Sequence, residues 1–302
     1  MLYDILIVGG GPAGLTAATY ARRAGKSVLV IEKNAFGGQI TWSPRVENFP
    51  GFVSVTGAEL GDKLLEQAME QGAEAELDEV VEVRAEADGV KTLVCESGAV
   101  FQGRTLIVAV GARPRMLGVE REEALVGSGV CYCAVCDGAF FAGQDVAVCG
   151  GGNAALQDAL LLSETCRRVT LIHRRESFRG EQRLVDALRE RENVELVMNA
   201  QVSELLGDQE LSGLVIEQDG KRRELAVAGL FVAVGHQPDN AVFAGLMELD
   251  SAGYAASGED CVTKSAGVFV AGDCRKKGVR QLTTAAADGA VAALGACRYL
   301  DV

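Results

Sequence analysis

The chain has 302 residues, 48% of them hydrophobic and 24% charged, with a formal net charge of −13. That composition belongs to a globular protein long enough for about two domains. The acidic balance argues against nucleic acid, whose phosphates must be met by clustered Lys and Arg. No stretch approaches the roughly 18 to 20 uninterrupted apolar residues of a membrane-spanning helix. The start, MLYDILIVGGG, carries Asp4 and enters a strand at once, with no basic segment or cleavable apolar one. The expected setting is therefore the cytoplasm, away from membranes, where thiols stay reduced unless they do chemistry. Nine cysteines, an odd number, also fit poorly with a full framework of structural bridges.

YDILIVGGGPAGLTAATYARRAGKSVLVIEK spells an apolar strand, a glycine turn, a small-residue helix and a second strand ending in an acid. Gly9, Gly11 and Gly14 supply a G-x-G-x-x-G pattern: a tight turn, close backbone approach to a pyrophosphate, and close packing of helix on strand. The pyrophosphate would sit at the helix N-terminus, and Glu32 stands where ribose hydroxyls are accepted. VAVGARP at 108–114 then closes this unit with a strand and a Gly/Pro turn.

GVCYCAVCDGAFF follows at 129–141, with Cys131, Cys133 and Cys136 crowded together. A metal site, a structural bridge and a redox pair all compete for it. Cys133 and Cys136 form a C-x-x-C, the spacing of redox dithiols. Zinc needs four ligands, and no second C-x-x-C or H-x3-H appears downstream. A purely structural bridge suits the cytoplasm poorly. The redox pair is the preferred reading, with Cys131 a packing residue. Asp137, next to the pair, is either a proton donor to a leaving thiolate or part of an Asp-Gly turn.

The glycine unit recurs in QDVAVCGGGNAALQDALLLSETCRRVTLIHRRESFR, with Gly150, Gly152 and Ala155 at the motif positions. Twenty-one residues separate Gly11 from Glu32, and 21 separate Gly152 from His173, so a histidine followed by Arg174 and Arg175 replaces the acid. A carboxylate there would repel a 2′-phosphate, whereas guanidinium groups pair with one. The first unit thus suits a dinucleotide lacking that phosphate, and the second suits NADPH. VAVGHQP at 232–238 closes the second unit as VAVGARP closed the first. GVFVAGDC then reads as another buried strand running to Asp273, and RQLTTAAADGAVAALGACRYL as a helix whose small-residue face would pack against a flat cofactor.

In order and spacing, GGGPAG, GGQI with VENFPG, CAVCDG, GGGNAA, HRRESFR and AGDC followed by RQLTTAA resemble the low-molecular-weight thioredoxin reductases of bacteria over the whole chain. The resemblance implies an α/β fold of two Rossmann-like nucleotide-binding domains, the second inserted into the first. Residues 1–113 and 240–302 would form the FAD domain, and 114–239 an NADPH domain carrying a Cys133–Cys136 disulfide. Gly9, Gly11, Pro12, Ala13, Gly14, Glu32 and Lys33 would hold FAD together with Gly38, Gln39, Asn48, Gly272, Asp273, Arg280 and Gln281. Asp273, Arg280 and Gln281 would line its phosphate, ribitol and ring contacts. Gly150, Gly152, Asn153, Ala155 and His173 would hold NADPH, with Arg174, Arg175 and Arg179 on the 2′-phosphate.

The resemblance also makes Asp137 the general acid, thioredoxin or a thioredoxin-like protein the acceptor, and a homodimer the working form. Hydride would pass from NADPH to FAD, electrons from flavin to the disulfide, and from the dithiol to the acceptor. The crossings near 112–116 and 236–242 would serve as a hinge that alternates nicotinamide and disulfide at the flavin. Glutathione-reductase-like enzymes differ, with an early C-x4-C and a C-terminal catalytic His; here the first cysteine is Cys95 and the histidines are His173 and His236. TWSPR at 41–45 departs from the threonine-rich sequence common in the family, and Cys131, Cys149 and Cys274 match none of its pattern positions. The rival readings are a reductase fed by ferredoxin, a dithiol oxidase passing electrons to oxygen, and a non-catalytic flavoprotein redox sensor.

Overall fold

DILIV is an unbroken apolar run, the pattern of a strand covered on both faces. In the computed structural model it forms most of β1 (Leu2–Val8), with Ile5, Leu6 and Ile7 fully buried. The structure describes residues 1–86 and 89–302. Helix α1 (Pro12–Arg23) follows, opening on a proline whose missing N–H costs nothing at that position. Gly14 is dictated by space, since a Cβ there would lie 1.9 Å from the Gly9 carbonyl oxygen. Strand β2 (Val28–Glu32) pairs in parallel with β1. Helix α2 (Gly57–Glu70) is capped by Thr56, whose hydroxyl accepts from the Glu59 N–H. Then come β3 (Glu74–Leu77), β4 (Val80–Ala85), β5 (Lys91–Cys95), β6 (Val100–Val108) and the short β7 (Ala112–Pro114).

The next segment holds β8 (Val130–Cys131), α3 (Ala134–Asp137), β9 (Asp145–Gly150), α4 (Asn153–Ser163), β10 (Arg168–Ile172), α5 (Gln182–Arg189) and β11 (Val194–Val197). It continues through β12 (Ala200–Leu206), β13 (Gly213–Gln218), β14 (Lys221–Leu225), β15 (Gly229–Ala233) and β16 (His236–Pro238). The last segment adds β17 (Val268–Val270) and α6 (Leu282–Leu300).

Two compact units result: Met1–Arg113 with Gln237–Val302, and Pro114–His236. The chain passes between them at β7 and β16, so the return falls ahead of the residue 239 read from the sequence. In the first unit the sheet order is β3-β2-β1-β6-β5-β4, with β17 paired in parallel to β6. Residues β1 sends to one face, Ile5 and Ile7, pack with α1 and α6; Leu6 and Val8 pack on the other with Leu106 and Val108, the period-two consequence of a strand. The second unit has a parallel sheet β11-β10-β9-β15-β8 and an antiparallel β12-β13-β14. Both are doubly wound, nucleotide-binding-type α/β units, the second inserted into the first.

The small-residue face of α6 seats that helix on α1. A Cβ on Gly289 would sit 2.1 Å from the Ala13 carbonyl oxygen, so Gly289, Ala292, Ala293 and Ala296 let α6 lie directly against α1. Small side chains permit that closeness whatever the neighbour is. Here it is a helix, and within α6 only Leu282 and Ala285, just after Gln281, border the cavity described next.

Candidate active site

In the first unit the turn after β1 opens a cavity of about 290 Å³. Gly9 has φ +106°, a backbone state that L side chains resist. Gly11 caps α1 without any side-chain hydrogen bond, and a Cβ on it would meet nothing nearer than the Gly37 oxygen at 3.8 Å. The first turn of α1 therefore faces open space with its N-terminal end uncapped. Gly9, Gly11, Pro12, Ala13, Glu32, Lys33, Gly38, Gln39, Gly272, Asp273 and Gln281 all line this cavity.

Glu32 is buried and accepts from the Gly10 N–H at 2.7 Å and the Asn34 N–H at 2.9 Å, which fixes the carboxylate against the turn. Gln39 donates to the Ala112 carbonyl at 2.8 Å. Lys33 is bound to Asp239 and Glu79, so its charge is already matched. Three predicted residues stand outside the lining. Gly14 packs on Gly9, Asn48 donates to Gln281 at 3.4 Å, and the Arg280 guanidinium lies 4.2 Å over the Tyr254 ring.

In the second unit a Cβ on Gly150 would lie 2.4 Å from the Ala233 oxygen and 2.6 Å from the Ala155 Cβ, which accounts for the small residue at each position. Gly152 caps α4 with no side-chain bond and open space around it. The Asn153 amide is engaged with Glu181, accepting its N–H at 2.8 Å and donating to its carboxylate at 3.0 Å. His173 differs from the open position its spacing suggests. The residue is 5% exposed, and its ring stacks on Phe178 and shares a hydrogen bond of 3.1 Å with the Ser177 carbonyl. Burial is the main reason its pKa is lowered, so the ring is neutral and shapes the loop from beneath.

That loop is tied back to the glycine turn by the Arg179 N–H on the Gly151 carbonyl at 2.8 Å. Arg174, Arg175 and Arg179 are exposed, and among the described residues none of them makes an ion pair. Their charge is left to solvent, and the loop that carries them is held against the turn ahead of α4.

The sulfurs of Cys133 and Cys136 are bonded at 2.07 Å, with their Cα atoms 5.3 Å apart. Cys133 caps α3, its sulfur accepting the Cys136 N–H at 3.2 Å. Asp137 closes the same helical turn. Burial pushes its carboxyl up to about 6, against the pull of a hydrogen bond from the Cys131 thiol. Cys131 lies on β8, 6% exposed, with its thiol held protonated by burial and by the neighbouring Asp137. The sequence reading made Cys131 a packing residue; its contact with Asp137 has no signature in the spacing. The free cysteines are all buried, and burial raises Cys149 and Cys274 to about 12. Neither is a thiolate at neutral pH, which accounts for two positions the motifs left unassigned.

The chain matches the model of the pyridine nucleotide-disulphide oxidoreductases over residues 3–289. It is 40% identical to the thioredoxin reductase of Listeria monocytogenes, covering 99% of this chain and 94% of that one. It is 41% identical to that of Mycolicibacterium smegmatis, covering 99% and 97%. The crystal structure of thioredoxin reductase from Streptococcus pyogenes superposes with a TM-score of 0.94 at 38% identity, covering 99% of this chain and 98% of that one.

Proposed function

The chain belongs to the pyridine nucleotide-disulphide oxidoreductase family, and we propose that within it the protein is an NADPH-dependent thioredoxin-disulfide reductase with FAD as its resident cofactor. The observation that carries this reading is the Cys133–Cys136 disulfide with the half-buried Asp137 beside it, in a chain similar end to end to thioredoxin reductases.

Residues 1–113 and 237–302 are assigned to FAD. The fit rests on the open space at Gly11, the uncapped start of α1 and the buried Glu32 carboxylate along one cavity. Residues 114–236 are assigned to NADPH, on the exposed guanidiniums of Arg174, Arg175 and Arg179 in the loop that is tied to Gly151. His173 supports that loop and does not reach for the phosphate, and Asn153 steadies it through Glu181. When bound, the two cofactors supply the two-electron chemistry that opens the disulfide. By family likeness the enzyme works as a cytoplasmic homodimer. Among the described residues no helix is long and apolar enough to cross a membrane.

The chain's own groups handle sulfur and proton. A sulfur at Cys133 accepts a backbone N–H, which favours its thiolate once the bond is open. One sulfur of the pair attacks the acceptor disulfide to give a mixed disulfide, and the second displaces it, so the acceptor leaves as a dithiol. Each displaced sulfur needs a proton. Asp137, with its carboxyl near 6, holds one part of the time at neutral pH and can pass it on. The test is turnover of NADPH with purified thioredoxin under anaerobic conditions. Rapid thioredoxin reduction supports the reading. Flavin bleaching without thioredoxin turnover, or turnover only with oxygen, would replace it with one of the rival flavoproteins.

A further inference from the structure

Behind the cavity of the first unit a buried lysine stands between two carboxylates. Lys277, its side chain 9% exposed, places Nζ 3.0 Å from Asp288 Oδ2 and 3.5 Å from Asp273 Oδ1. Asp288, on α6, also takes Arg275 in a two-pronged contact, Nη2 to Oδ1 at 2.8 Å and Nε to Oδ2 at 3.3 Å, and accepts the Gly272 N–H at 3.0 Å. Arg275 further donates to the carbonyls of Ser257 and Gly258. The turn carrying Asp273 is thus bolted to α6 by charges largely sealed from water.

Asp273 is the member of this cluster that lines the cavity. Its Oδ1 is buried and, among the described residues, receives no hydrogen bond. Lys277 at 3.5 Å is a charge contact, too long for a hydrogen bond. Because Oδ1 is sealed, the carboxylate meets the cavity through Oδ2. An unpaired buried oxygen is costly, and the ordinary relief is for a carboxyl to take up a proton. Burial does push Asp273 upward, and the charges of Lys277 and Arg280 oppose it. Asp288 and the buried Cys274 are the other titratable groups facing it. The shorter contact of Lys277 is the one to Asp288.

We propose that Lys277, anchored by Asp288 and Arg275, is a positioning residue that keeps Asp273 ionised and turns its Oδ2 toward a hydroxyl of the bound dinucleotide. The proposal rests on the assignment of FAD to this unit. An ionised carboxylate only accepts hydrogen bonds, and so does a phosphate diester. Asp273 therefore selects the polyhydroxyl part of the ligand and disfavours the pyrophosphate at that point.

The test uses full-length protein stripped of flavin and titrated with FAD between about pH 5 and pH 8.5, following flavin fluorescence. Lys277→Gln should weaken FAD binding by about ten- to a hundredfold at neutral pH. Its affinity should also fall away at a higher pH than in the wild type, because Asp273 then takes its proton sooner. Lys277→Arg, which keeps the charge, should move that midpoint back. In an Asp273→Asn background the pH effect of Lys277→Gln should vanish. Unchanged affinity and midpoint in Lys277→Gln would overturn the proposal, and so would an equal loss at every pH that persists in the Asp273→Asn background. If Lys277→Gln does not fold, Lys277→Arg decides: a wild-type midpoint supports the role of the charge, and a raised one refutes it. Wild-type protein that binds no FAD would sink the flavoenzyme reading together with this one, whereas the other refutations leave that reading standing.

Discussion

Asp137 should make the protein less stable at the pH where it works, and its removal should reverse that. Burial lifts its carboxyl from 3.8 to about 6. An acid whose folded pKa exceeds its unfolded value binds more protons when folded, so stability falls as pH rises through that window. The contribution is present in full below about pH 4 and gone above about pH 6. A shift of about two units corresponds to about 3 kcal/mol. Asp137→Asn carries no charge to bury and keeps an oxygen for the Cys131 thiol. At pH 8 the oxidised variant should therefore resist urea better than the wild type by about 2 to 3 kcal/mol, and at pH 4.5 by less than about 1. The same variant should lose most thioredoxin reduction, since it has no proton to give. Urea melts followed by circular dichroism at the two pH values decide it. Parallel stability of variant and wild type across that range would show that the carboxyl is not desolvated as described, and would remove the basis for its acid role.

Cys133→Ser or Cys136→Ser should abolish acceptor reduction while NADPH still bleaches the flavin in an anaerobic titration; near-native disulfide reduction in either would mean that another pair is used. Arg174→Ala with Arg175→Ala should cut kcat/KM for NADPH by about a hundredfold or more and leave NADH little changed. Equal losses with both nucleotides would assign these arginines to folding or to movement of the units. Gly14→Ala, which brings a methyl to 1.9 Å from the Gly9 oxygen, should lower stability by about 3 kcal/mol or more and deplete bound flavin; a variant that retains full flavin and the wild-type melting temperature would contradict the close seating of α1.

What was legible in the sequence was whatever local spacing controls. Gly9, Gly11 and Gly14 are fixed by a turn and a helix start a few residues long, and the structure builds them as that pattern requires. The C-x-x-C is likewise local, and its sulfurs are joined. Illegible were contacts made by residues far apart in the chain. Glycines on α6 looked suited to a flat ring, yet only the fold brings Ala13 opposite Gly289. His173 sits at the ribose-acid offset, but its burial under Ser177 and Phe178 depends on how the loop closes. Lys33 follows the ribose acid directly, and only the return of the chain at Asp239 shows its charge to be already matched.

The half-buried Asp137 and the buried Asp288 show how the same side chain is set to opposite tasks. Both lose part of their water, and burial alone would raise both. Asp288 has two cations on it, and their hydrogen bonds outweigh burial and hold it below the usual carboxylate range. A group so fixed cannot exchange protons near neutrality and can only act as a permanent negative anchor. Asp137 has no cation among its described partners; it has a protonated thiol, which is too weak a donor to offset the lost water. Its charge therefore comes and goes near the operating pH, as proton transfer to sulfur requires. Placing a Lys or Arg beside Asp137 would stabilise its charged form and silence it, so the lost water and the Cys131 thiol are conditions of the chemistry, while the paired charges around Asp288 are conditions of a rigid site.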